Sequence, residues 1–118
     1  MVERRLGSVR ISPQVLATLA RLTVLGQPGV VGMYSDMSSG VDRLIHGKGS
    51  ADGVRISVVD GAVSVDIHIV ASGDANLYDL GRELQACVGR AIKEMVGMPV
   101  LGVNVHVEDV VMPGSETS

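Results

Sequence analysis

The sequence predicts an α+β fold: a two-layer α/β sandwich with a mixed β-sheet and two amphipathic helices on one of its faces. Three observations predict it. Residues 53–71 form two alternating apolar–polar runs around Asp60-Gly61, a strong β-hairpin signal. Two segments with apolar residues at three- and four-residue spacing follow Ser12-Pro13 and Asn76. Valine-rich runs at 30–35 and 100–111 supply further strands. The expected order is β-α-β-loop-β-β-α-β, within a single domain spanning residues 7–112.

Residues 1–6 are expected to be a flexible N-terminus, and 7–11 a short first strand with Val9 and Ile11 on one face. The first helix opens at Ser12-Pro13. Ser12 accepts a backbone N–H as N-cap, and Pro13 suits a position where its missing donor has no helical partner anyway. Val15, Leu16, Leu19, Leu22 and Thr23 fall in one broad stripe, and Gly26 through Gly29 ends the helix. Residues 36–52 hold Gly40, Gly47 and Gly49 around a small apolar knot of Val41, Leu44 and Ile45, and read as a flexible loop.

In the hairpin, Val54, Ile56 and Val58 share a face, as do Val63, Val65, Ile67 and Ile69. Arg55, Ser57, Ser64, Asp66 and His68 fall on the opposite face. Asn76 is the expected N-cap of the second helix, with Asp79 three residues on. Leu77, Leu80, Leu84, Val88, Ala91, Ile92 and Met95 form its stripe, and Gly97 and Pro99 stop it. In the last strand Val103, Val105 and Val107 alternate with Asn104, His106 and Glu108. Residues 113–118 read as a disordered tail.

Composition narrows the function. The chain has no Phe, no Trp and two Tyr, so there is no aromatic platform on which bases or sugars could stack. Net charge is −3 and the basic residues are dispersed, which disfavours nucleic acid. A single cysteine, Cys87, allows no intrachain disulfide and suits a reducing compartment. No apolar run is long enough for a membrane span, and the N-terminus lacks the pattern of a signal peptide.

No catalytic constellation assembles from spacing alone. His68 and His106 both lie on polar strand faces; were those strands neighbours, the imidazoles could meet, with Asp66 or Glu108, as a metal site. Zinc sites usually announce themselves by close ligand pairs, and none exists here, so solvated histidines are the expectation and no metal or cofactor is assigned. Gly47-Lys48-Gly49-Ser50 lacks the spacing and the following helix of a phosphate loop. Cys87 reads as a small buried hydrophobe. Asp60, Asp66, Asp79 and Glu83 read as turn, exposed face, cap and helix surface.

Three segments, in order, resemble the alkaline shock protein family of bacterial general stress proteins. The first is Gly7-Ser8-Val9-Arg10-Ile11-Ser12 leading to Val15, Leu19 and Ala20, then Pro28-Gly29-Val30-Val31-Gly32. The second is Gly53-Val54-Arg55-Ile56 through Asp60-Gly61 to Val65-Asp66-Ile67. The third is Val88, Ala91, Ile92, Met95 and Gly97, then Val100 and Val103-Asn104-Val105-His106-Val107. Ser72-Gly73 stands where the family tends to have Tyr-Gly, and Val96 where it usually has Thr.

The resemblance implies a non-enzymatic, cytoplasmic protein of cell-envelope stress response and homeostasis. It would self-associate and reach the membrane through a membrane-anchored protein partner. A sheet edge, at 30–35 or 100–111, is one expected route of self-association. The polar hairpin face with the last strand, Arg55, Ser57, Asp66, His68 and His106, is the expected interaction surface. The alternative is a small-ligand-binding regulatory module closing the Gly-rich loop 36–52, with His46 and Lys48, over a site; an enzyme, the third reading, needs a deep pocket that gathers Asp36, His46 and Lys48.

Overall fold

A computed structural model describes residues 6–34, 50, 51 and 53–112. Its elements are α1 (Pro13–Leu25), β1 (Val30–Met33), β2 (Ser50–Ala51), β3 (Val54–Val59), β4 (Ala62–Ser72), α2 (Leu77–Met95) and β5 (Val100–Val111). The α+β fold with a mixed sheet agrees with the sequence.

β4 is the centre of the sheet. β5 runs parallel along one edge of it, from Val63↔Val100 to Ser72↔Val111. A parallel neighbour needs a crossover, and α2 supplies it. The other edge is shared. β3 pairs antiparallel with the first half of β4, from Val59↔Ala62 to Val54↔Ile67, and β1 pairs antiparallel with the last part, from Met33↔Ile69 to Val30↔Ala71. The two short strands meet at His68. Its N–H donates to the Gly53 carbonyl at 2.8 Å, and its carbonyl accepts from the Tyr34 N–H at 2.9 Å. β2 extends the sheet beyond β3.

Alternation along β4 is complete: Val63, Val65, Ile67, Ile69 and Ala71 are fully buried, and the residues between them are half-buried. The buried face meets Leu16, Ala17, Ala20 and Val24 of α1, and Leu80, Leu84, Val88 and Ile92 of α2. Burying each large aliphatic side chain contributes about 1.5–3 kcal/mol, so this single cluster dominates stability. Ser12 Oγ accepts from the Val15 N–H, and Asn76 Oδ1 accepts from the Asp79 N–H, so both expected caps form. Gly97 ends α2 at φ +79, its N–H shared between the Ile92 and Lys93 carbonyls.

Four expectations are corrected. Residues 7–11 form no strand: Val9 is 90% exposed, Gly7 has φ +106, and both edges of β4 are already occupied. The α1 stripe is rotated. Val15 and Leu22 are exposed, whereas Ala17 and Ala20 are buried, because α1 is apolar around much of its circumference and small residues let it approach the sheet closely. Val58 shares the expected face of β3 but is exposed, although its register partner Val63 is fully buried. Cys87 is half-buried rather than buried, on the flank of α2. Of the loop assigned to 36–52, Ser50 and Ala51 belong to β2 and the rest lies outside the described residues, as do the tail at 113–118 and most of the N-terminal segment 1–6.

Candidate functional site on the open face of the sheet

Both helices cover the same face of the sheet. The opposite face carries the alternate residues of β3, β4 and β5, arranged in rows by the register. Arg55, Asp66 and Asn104 form one row, and His68 and His106 the next. A cross-strand row of opposite charges such as Arg55 opposite Asp66 favours this register.

Two irregularities in β5 shape the site. The register shifts between Val63/Ser64 and between Ile69/Val70, leaving Leu101 and Glu108 as extra residues in β5. A bulge re-aims the side chain it inserts. Past the second bulge Asp109, not Glu108, lies opposite Val70. Glu108 instead turns toward His68, with Oε2 2.6 Å from His68 Nδ1. The His68 and His106 rings stack with centroids 4.4 Å apart and planes 10° from parallel. His106 Nε2 lies 3.5 Å from Asp66 Oδ1, which also accepts from Asn104 Nδ2 at 3.1 Å. All four charged or titratable groups are partly exposed.

The structure therefore gathers Asp66, His68 and His106 of the expected surface, and adds Asn104 and Glu108. Arg55 adjoins them through Asp66, and Ser57 lies one row away, opposite Ser64. Glu108 was visible in the sequence as a polar residue two beyond His106, but the bulge that aims it was not. His46, Lys48 and Asp36 lie outside the described residues. A groove of about 320 Å³ at the start of α2 is lined by Gln27, Pro28, Asn76, Asp79, Leu80 and Glu83. Its two carboxylates have no histidine or cysteine in the lining, and the His68–His106 cluster is not part of it.

The outer edge of β5 is protected. Gln85 Nε2 of α2 donates to the Val103 carbonyl at 3.1 Å, and two bulges and the charges of Glu108 and Asp109 interrupt the strand. Such features discourage edge-to-edge pairing.

These features define a class: a small α+β domain whose sheet is covered on one face and presents a histidine- and carboxylate-bearing surface on the other. The chain belongs to the alkaline shock protein family (ASP23), described as having a cell envelope-related function, whose profile matches residues 1–112. The resemblance noted in the sequence is thereby borne out. The chain is 22% identical over 109 residues to the uncharacterized protein YqhY of Bacillus subtilis (strain 168), covering 89% of this chain and 78% of that one. It is 26% identical over 113 residues to the uncharacterized protein Spy1535 of Streptococcus pyogenes serotype M6, covering 94% and 84%. Among solved structures, a cadmium form of the MamM CTD matches with a TM-score of 0.50 at 12% identity, covering 81% of this chain and 95% of that one. That likeness shows the fold alone. No helix among the described residues is long and apolar enough to cross a membrane.

Proposed function

We propose that the chain is a non-enzymatic interaction protein of the cell envelope, acting in envelope stress response and homeostasis through its open sheet face. Its partners would be further copies of itself and a membrane-anchored protein that holds it at the cytoplasmic side of the envelope. One observation carries the reading. Both helices pack on one side of the sheet, so the rows from Arg55 to Glu108 leave half-buried and exposed polar groups on the uncovered side. The guarded edge of β5 favours that face over strand addition at that edge as the route of association. A polar surface with opposed charges suits specific, reversible contacts.

The test is a pull-down from detergent-solubilised envelope together with light scattering of the purified chain. Arg55→Glu and His68→Asp invert or add charge on this face without touching the core. Each is expected to reduce partner retention by roughly tenfold or more, the effect of about 1.4 kcal/mol at an interface. A strictly monomeric chain that retains no envelope protein would contradict the proposal, as would variants that bind as well as the parent.

A further inference from the structure

We propose that His68, His106 and Glu108 form a binding site for a divalent first-row transition-metal ion, Zn²⁺ being the best fit. One donor atom from each of the three residues lies within 4.8 Å of the other two. Two neutral imidazole nitrogens and one carboxylate oxygen are the donor set that Zn²⁺, Co²⁺ and Ni²⁺ accept, whereas Mg²⁺ and Ca²⁺ prefer oxygen alone.

The backbone geometry suits the site, but the His68 and His106 rings stack with planes 10° from parallel, so at least one ring must turn out of the stack for both to direct a nitrogen at one ion. Metal–ligand bonds of about 2.0–2.1 Å in a tetrahedron place donors roughly 3.3 Å apart. His68 Nδ1 and Glu108 Oε2 are already 2.6 Å apart, so an ion between them replaces the proton they share and parts them slightly. The third donor closes in by rotation of side chains that are 37–46% exposed. The backbone stays in place: His68 and His106 are register partners on parallel strands, and the bulge already aims Glu108 at them.

Asp66 acts behind the site rather than in it. Its Oδ1 stands 3.5 Å from His106 Nε2 and is itself fixed by Asn104. A carboxylate on the far nitrogen of a ligating histidine sets the tautomer and the ring orientation. His106 then presents Nδ1 to the ion. Three protein donors leave a fourth position facing solvent, so the ion exchanges readily and accepts water or an outside ligand. The site stands independently of the association reading above.

Titration of the full chain with CoCl₂, followed by displacement with ZnCl₂, tests the proposal by calorimetry and visible absorption. The expected result is one ion per chain, with Co²⁺ bands that Zn²⁺ abolishes. His68→Ala, His106→Ala and Glu108→Gln should each weaken binding by more than roughly 100-fold, and Asp66→Asn by about tenfold, within the range of outer-shell contacts. Circular dichroism of each variant checks that the fold persists, and Glu108→Gln keeps the test open should a histidine variant unfold. Glu94→Gln, exposed on α2 in the helix layer, should bind as the parent does. No uptake of either ion at about 1 mM would overturn the proposal, and so would unchanged binding in a His68→Ala/His106→Ala double variant.

Discussion

Ile67→Asp abolishes the folded state, whereas Ser57→Asp leaves it intact. Ile67 is fully buried at the middle of β4, against both helices, and its backbone pairs with Val54 on one side and Val105 on the other. A carboxylate there has no partner among the described buried residues, none of which is polar or charged. Burying it costs about 5 kcal/mol or more, comparable to the whole stability of a small domain. Ser57 sits on the open face and is exposed, so the same new charge costs less than about 1 kcal/mol. Urea denaturation followed by circular dichroism checks both, with Ile67→Asp expected to show no cooperative transition.

Gly53→Val is the second large effect, and it reaches the candidate site. Gly53 has φ +80, where a β-branched side chain is strained, and a Cβ there would stand 2.9 Å from the His68 carbonyl oxygen and 3.0 Å from Met33 Cβ. Those contacts are backbone and strand, so relief requires moving the junction where β1, β3 and β4 meet. The combined cost is about 3 kcal/mol from backbone strain and overpacking. Gly61→Ala is the control: its φ is +78 but nothing lies within 4 Å of the added Cβ, so only the conformational part, about 1 kcal/mol, is lost. Denaturation midpoints measure the difference. Because the Gly53 junction holds the backbone of His68, Gly53→Val should also shift the ring resonances of His68 and His106, and Gly61→Ala should not.

Much of the hairpin was legible because its signals are local. Asp60 and Gly61 adopt φ 53 and 78, the left-handed pair that a two-residue hairpin turn demands. The alternation on either side sets which face is buried. The helix caps and the stop at Gly97 are equally local. The first strand failed for the opposite reason: alternation in residues 7–11 describes a strand only if the segment pairs with the sheet, and here it stays exposed, with Gly7 at φ +106. The rotated stripe of α1 reflects a helix too apolar for periodicity to choose a face.

The candidate site lay between these cases. Its residues stood out as polar positions on strands, yet their meeting depends on which strands pair and in what register. The parallel pairing of β4 with β5 is a long-range outcome. Its two bulges, at Leu101 and Glu108, leave no local signal in the sequence. A one-residue slip would move His106 to the covered face. His106 and Glu108 stand two residues apart on one strand, but the third donor, His68, lies on β4 with all of α2 between them, so the set does not read as a metal motif along the chain.

The central claim is that the open sheet face, not the helix layer, is the working surface. Site-specific photo-crosslinking in native cells tests it most directly, with the reactive group placed at Ser57 on the open face or at Leu22, exposed on α1. The account predicts discrete protein adducts from the Ser57 position and none from Leu22. Adducts from Leu22 alone, or from neither position, would contradict it.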